Sequence, residues 1–296
     1  MNSSNPIPKC MVCSALMVLR FDKKVPVHWA CPQCGLECIA PQPDDHALAA
    51  IYDESYFTHY HNGSDPGIVR EMKRATYERQ FRCLGAPADA GPRRRLLDCG
   101  AATGFLAELA KECGWDAFAI EISGFGAQAC TKVLGAERVY QGEAHEAYFA
   151  ANPEGRFEAI TMFDFIEHVR DPRSILKWAR GRLSPGGALL LTTPRVGSIS
   201  WHVMGSQWFH YTQGHLWFFN PESIRTLLHE CDFSTIEVNP LPKAITIGYA
   251  IGHYARRTAY NKLFSPVARI LDLLPARIKR RRLWLYLGEM AIVARP

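Results

Sequence analysis

The run Arg95-Leu96-Leu97-Asp98-Cys99-Gly100-Ala101-Ala102-Thr103-Gly104-Phe105 constrains the fold more than any other part of the chain. It reads as a buried strand that breaks into a turn of small residues and re-enters a helix. Gly100 to Gly104 carries almost no side-chain bulk, so a ligand can approach bare backbone. The helix that follows, Phe105-Leu106-Ala107-Glu108-Leu109-Ala110-Lys111, points its electropositive N-terminus at the same place. Further on, Trp115-Asp116-Ala117-Phe118-Ala119-Ile120-Glu121 reads as a second buried strand ending in a carboxylate, placed to accept the two ribose hydroxyls of an adenosine. On these residues alone the alternative is an ordinary tight turn followed by a solvated Glu121. The order of the downstream segments argues against it.

The short strand Arg138-Val139-Tyr140 leads into Gly142-Glu143-Ala144, where an acid on the adenine side would sit. Phe157 to Phe163 gives a fourth strand, followed by the turn Asp164-Phe165-Ile166-Glu167-His168-Val169-Arg170-Asp171-Pro172. A helix, the turn Leu183-Ser184-Pro185-Gly186-Gly187 and the strand Ala188 to Pro194 complete the alternation. The ordered set LLDCGAATG, AIEIS, GEA, FDFIEHVRDP, LSPGG and LLLTTP resembles the class I S-adenosylmethionine-dependent methyltransferases over about residues 93–240, with a return strand at the C-terminus.

That resemblance implies an α/β fold, a Rossmann-like sheet of seven strands, with S-adenosylmethionine as cofactor. It places cofactor contacts at Asp98, Gly100, Ala101, Ala102, Gly104, Phe105, Glu121, Ile122, Gly142, Glu143, Ala144, Phe163 and His168. A nicotinamide enzyme is disfavoured, because its fingerprint is G-x-G-x-x-G and this chain has Gly100, Ala102 and Phe105 at those places. The middle position is usually glycine in the methyltransferases as well, so Ala102 should narrow the loop by a methyl group.

With 296 residues, 48% hydrophobic and 21% charged, the chain can bury one large core plus a small attachment. Its first residues are polar, without a basic-then-apolar leader, and no run of about 18 apolar residues occurs, so a cytoplasmic location is expected. Ten cysteines in such a chain are expected to be thiols or metal ligands. Cys10-x2-Cys13 and Cys31-x2-Cys34 have the spacing of a structural zinc site, in which four thiolates surround one ion and leave no position open for chemistry. Cys38 lies near enough to compete, and a rubredoxin-like iron site would use the same ligands.

The expected organisation is a zinc ribbon at 1–40, with a strand at Val25 to Trp29, and a helical linker or lid at 41–92 over the cofactor mouth. A methyltransferase core follows at 93–240, then a basic helical insertion at 241–287 and a final core strand at 288–296. Ribbon, proline-rich step, Tyr52-Asp53-x-x-Tyr56-Phe57 and core in that order resemble bacterial small-molecule and sugar-pathway methyltransferases. The sugar C-methyltransferases among them carry a further C-terminal domain that this chain is too short to hold. Between Ser200 and Asn220 stand three Trp, three Phe, one Tyr and three His with no other charged side chain, the composition of a pocket wall. From Lys243 to Arg282 ten basic residues face a single acid, Asp272, interleaved with apolar residues that suit an anionic surface or an anionic acceptor.

Methyl transfer to a hydroxyl gains from a general base, and histidine titrates in the right range. Four histidines stand near the expected site. His168 reads as an ordering residue of the loop, His202 is the fourth, and His215 or His210 is the expected base; Asp164 would bind the cofactor's amino group or orient the acceptor. The leading reading is transfer to a hydroxyl oxygen of a small polar acceptor, sugar- or lipid-linked, anionic or carried, with peripheral contact to an anionic membrane. An RNA base methyltransferase is the alternative within enzymes, although aromatics and arginines fall in different segments, where nucleic-acid sites mix them. A non-catalytic scaffold is disfavoured by the intact Asp98, Gly100, Gly104 and Glu121 set.

Overall fold

The computed structural model describes residues 7–22, 27–51, 66–84, 94–143, 155–212, 214–256 and 273–296. Its strands in chain order are β1 (Val18–Asp22), β2 (Val27–Ala30), β3 (Glu37–Ala40), β4 (Arg95–Cys99), β5 (Asp116–Glu121), β6 (Val139–Gln141), β7 (Phe157–Phe163), β8 (Leu183–Pro194), β9 (Trp217–Phe218), β10 (Thr235–Thr246) and β11 (Arg282–Arg295). Seven of them make one sheet in the order β10-β11-β8-β7-β4-β5-β6. β4 to β8 run parallel, while β11 enters antiparallel between β8 and β10. This is the Rossmann-like sheet the resemblance implies.

Strand β4 lies near the middle because both of its faces are covered. Leu96 and Leu97 point to opposite faces and are each 0% exposed, a burial worth about 1.5 to 3 kcal/mol per side chain. From β4 the chain winds outward to β5 and β6, then returns to the other side through β7 and β8. The crevice left at the carboxyl ends of β4 and β7 is where doubly wound sheets bind ligands.

The sequence separates the turn Leu183 to Gly187 from a strand at Ala188, whereas β8 already pairs at Leu183. The register slips between Phe157 opposite Leu183 and Ala159 opposite Ala188, so the turn is absorbed as a bulge. A similar extension occurs at the C-terminus, where the final core strand expected at 288–296 begins at Arg282. Beyond a bulge, Pro242 to Thr246 pairs with Tyr286 to Arg282, so both ends of the basic insertion are strand. The helical linker expected at 41–92 includes the helix Pro66–Phe81, which ends in a 3-10 turn. This helix packs on β10, accepting Ala244 N–H at Thr76 Oγ1 (3.0 Å) and Thr246 N–H at Met72 Sδ (3.1 Å).

The ribbon is stitched to the core. β1, β2, β3 and β9 form a second sheet, and β9 comes from the aromatic segment. Ile39, Val196, Trp208, Leu216 and Phe218 bury a common core at this junction. Helix Pro221–His229 begins with Asn220 as cap and Pro221 in the first turn, both residue types suited to a helix start. The Asn220 amide serves both sides, its Oδ1 capping Ser223 N–H (2.7 Å) and its Nδ2 donating to the Cys34 carbonyl (2.8 Å). Gly35 makes room for it, since a Cβ there would stand 2.4 Å from Asn220 Nδ2.

Candidate functional site

The loop after β4 is tied to β5 by Gly100 N–H and Ala101 N–H, both donating to the Ile120 carbonyl (2.9 and 3.1 Å). Gly100 and Gly104 are left-handed, and a Cβ on Gly100 would meet Phe165 at 2.4 Å. Ala102 is left-handed too, with φ +51°, a conformation that costs an L-residue about 1 to 2 kcal/mol. Its N–H is held by Glu121, whose Oε2 accepts from Ala102 at 2.7 Å and whose Oε1 accepts from Ser123 N–H at 2.9 Å. The acid thus braces the loop it was expected to serve. Burial raises its pKa, and the Ser123, Ala102 and Ile122 N–H groups oppose the rise.

Asp98, next to last in β4, is fully enclosed. It accepts the Thr161 hydroxyl of β7 at 2.8 Å, and burial pushes its pKa up to about 7 against that bond, with Glu121 adding to the rise. Gly126 was not singled out in the sequence, yet a Cβ there would stand 2.6 Å from the Ala102 carbonyl and 2.7 Å from Glu121 Cγ. Its signal was available as the second glycine of Gly124-Phe125-Gly126. Gly142 N–H donates to the Glu121 carbonyl (3.1 Å), and Glu143 follows it; Ala144 lies outside the described residues. Ile122 is exposed beside the loop. Phe105 and Phe163 both meet Tyr77 of helix Pro66–Phe81, at ring separations of 5.9 and 5.3 Å. The loop, its braced acid and the bare backbone are a cradle that side chains would fill, and they fit an adenosine-bearing cofactor.

A charged cluster lies at the carboxyl end of β7, next to this cradle. Asp164 accepts the Thr192 hydroxyl (2.9 Å) and stands 3.5 Å from Lys243 Nζ, which also reaches Glu289 at 2.5 Å. His210 Nε2 is 3.6 Å from the other Glu289 oxygen. Burial would raise Asp164, but Lys243, Thr192 and the neighbouring His215 and His168 outweigh it and hold the carboxyl below its usual range. Glu289 goes the other way, pushed by burial up to about 7 despite Lys243. Burial and Lys243 bring Lys73 down to about 8, with Asp164 opposing.

The histidines separate by environment. His168 Nδ1 bonds the Gly214 carbonyl at 2.8 Å, and its ring meets that of His215 edge-on at 4.6 Å. Burial lowers His168, while His215 is held well below the usual imidazole range by burial and by His168 and His210 beside it. His202 lies exposed on helix Ile199–Met204 against Trp201. Lys73, Tyr77, Lys243 and Glu289 were missed as site residues. Glu289 gave the clearest signal, as the single acid in the otherwise apolar run Leu287 to Val293.

The four ribbon cysteines gather from the turn before β1 and the turn between β2 and β3. Cys10 and Cys34 sulfurs are 3.5 Å apart, Cys13 and Cys31 sulfurs 3.3 Å, and all four lie within 4.8 Å of one another. A zinc ion with bonds of about 2.3 Å sets sulfurs about 3.8 Å apart in a tetrahedron. Each knuckle closes on a left-handed residue, Ser14 and Gly35. The donor set fits zinc. Cys38 is outside it, its thiol donating to Met17 Sδ at 3.5 Å.

A sheet of this order with a glycine-poor cofactor loop and an acid after its second strand defines a nucleotide-cofactor transferase. The family model for the methyltransferase domain matches residues 70–238, more than half of the chain. The chain belongs to that family and is an S-adenosylmethionine-dependent methyltransferase. It is similar to the ubiquinone biosynthesis O-methyltransferase of Aromatoleum aromaticum, 25% identical over 176 residues, which is 52% of this chain and 72% of that protein. It is 32% identical over 109 residues to the protein of the same description from Xanthomonas campestris pv. campestris, 34% of this chain and 44% of the relative. Among solved structures, a SAM-dependent methyltransferase from Archaeoglobus fulgidus has a TM-score of 0.55 at 18% identity, covering 82% of this chain and 100% of its own. The 1,6-didemethyltoxoflavin-N1-methyltransferase of Burkholderia thailandensis has a TM-score of 0.53 at 15% identity, covering 94% and 98%. These likenesses establish the fold.

Proposed function

We propose that the chain transfers a methyl group to a hydroxyl oxygen of a small polar acceptor held beside Asp164, with His210 receiving the proton. The observation that carries this is the His210, Glu289, Lys243 and Asp164 cluster next to the cofactor cradle. When bound, S-adenosylmethionine supplies an already activated methyl group, so the protein's task is chiefly to position and to remove a proton. His210 suits that removal, because Glu289 beside it would stabilise the imidazolium. His215, with its depressed basicity, is the weaker base. Glu121 would hold the ribose diol, and the Gly100 to Gly104 backbone would lie against the cofactor. The two O-methyltransferase relatives support oxygen as the acceptor atom. Incubating the protein with radiolabelled S-adenosylmethionine and small-molecule extracts should label a product whose methyl group sits on oxygen by NMR; a methyl group found on nitrogen or carbon overturns the reading.

The four ribbon cysteines are assigned one structural zinc. A chelator that removes it should unfold the ribbon while the larger sheet, with its own apolar interior, keeps its far-ultraviolet signal. Elemental analysis finding no metal in protein purified under reducing conditions would overturn that assignment.

The basic run is assigned an anionic contact, with a carried or anionic acceptor or an anionic lipid surface as its object. Trp284 and Leu283 are 48% and 44% exposed beside Arg280, Arg281 and Arg282, all three of which are also exposed. Among the described residues no helix is long and apolar enough to cross a membrane. Changing Arg280, Arg281 and Arg282 together to Ser should leave cofactor affinity unchanged and lower binding to anionic liposomes at least severalfold at low salt. Unchanged liposome and acceptor binding would make the run a solvated face.

A further inference from the structure

Two groups of His, Cys, Asp or Glu among the described residues are close enough to hold a metal ion. One is the cysteine cluster; the other is Glu167, His168 and His215. Their convergence follows from the backbone. The Glu167 carbonyl accepts both Leu216 N–H (2.8 Å) and Trp217 N–H (3.3 Å), pinning the aromatic segment across the turn after β7. His168 then ties the same segment through Gly214, which brings His215 against it.

The second group carries an imbalance that protein atoms do not resolve. Glu167 is 0% exposed, and the one hydroxyl facing its carboxylate, that of Thr193, falls short of full hydrogen-bond geometry, which leaves both carboxylate oxygens without a well-formed partner among the described residues. His215 Nδ1 is buried and equally unpartnered. A buried carboxylate left in this way costs several kcal/mol, whether its charge is kept or its proton must find an acceptor. Asp164, by contrast, is occupied by Thr192 and Lys243.

We infer that Glu167, His168 and His215 bind one divalent transition-metal ion on the acceptor side of the cofactor cradle. One carboxylate and two imidazoles form a facial set that leaves positions open for other ligands. The bond from His168 Nδ1 to the Gly214 carbonyl is the outer contact that fixes which ring nitrogen carries the lone pair of a metal-bound histidine. The ligand atoms lie within 4.8 Å of one another, against about 3 to 4 Å in a shell with bonds near 2.1 Å, a difference that small side-chain rotations close. An ion there would stand beside Asp164 and hold an acceptor hydroxyl through its oxygen, easing its ionisation. This role rests on the acceptor reading given above; the site itself does not.

The test uses the full chain with its cysteine cluster loaded with zinc. Titration with Co2+ or Mn2+, followed by equilibrium dialysis, should show one additional ion per chain. Bound Co2+ should give the weak visible bands of nitrogen and oxygen ligands without thiolate charge-transfer absorption. His215→Ala and Glu167→Gln should each weaken this second ion more than about tenfold while the first equivalent stays bound and the fold, checked by circular dichroism, is kept. No second ion at millimolar metal, or a second ion that both variants bind as tightly as the parent, overturns the inference. Because ion binding is read without acceptor, methylation of oxygen by a chain with no second ion defeats the metal site alone. A second ion in a chain that methylates nitrogen or carbon defeats the oxygen reading alone.

Discussion

Glu121→Ala is expected to weaken S-adenosylmethionine binding by roughly 10² to 10⁴, the loss of two hydrogen bonds to a charged group at about 1.5 to 3 kcal/mol each. Calorimetry with S-adenosylmethionine or its demethylated product measures it directly. The substitution also removes the acceptor of Ala102 N–H and Ser123 N–H. The left-handed Ala102 then loses the contact that holds it, so part of the effect would reach affinity through a looser loop. Glu121→Gln separates the two contributions. It keeps one oxygen for a backbone N–H but gives up the charge, and it should fall between parent and Ala. An Ala variant that binds the cofactor as tightly as the parent would remove Glu121 from the ribose and leave it a loop brace.

The second large effect is expected at His210. If it receives the acceptor's proton, His210→Ala should lower the methylation rate near neutral pH by about 10² to 10⁴ with cofactor affinity and melting temperature maintained. Activity should return in part at higher pH, as the acceptor ionises without help. The competing account is packing. The ring sits 4.8 Å from Trp208 and 4.3 Å from Phe209, in a buried aromatic wall. A packing histidine predicts a lowered melting temperature with the rate nearly intact, and that result would end its role as a base. His215→Ala, measured beside it in protein carrying no second ion, should keep most of the rate near neutral pH, because a poorly basic imidazole is not the group that takes the proton.

What the sequence discloses and what it hides divide by range. The β4 loop, the acid ending β5 and the paired cysteine knuckles are local patterns, each within a few residues, and their geometry follows from backbone chemistry: glycine where φ is positive, a carboxylate where N–H groups converge. The capped start of helix Pro221–His229 is legible for the same reason. Lys243 and Glu289 are not, because they become neighbours only when β10 and β11 fold into a hairpin at the edge of the sheet. Counting Lys243 as one charge in a basic run concealed that it is neutralised by two acids. Ribbon and core likewise look separate along the chain, since the two-residue strand joining them carries no period of its own.

That short strand has a consequence for how the molecule would fail. β9 belongs to the ribbon's sheet, yet it lies only two residues after His215 and seven after His210, and Asn220 just beyond it grips the Cys34 turn. Loosening the ribbon would therefore slacken the wall that carries both histidines before the seven-stranded sheet begins to melt. In such a molecule cooperative units do not coincide with domains. On heating, the enzyme should inactivate ahead of its main unfolding transition, with cofactor still bound at the opposite end of the crevice.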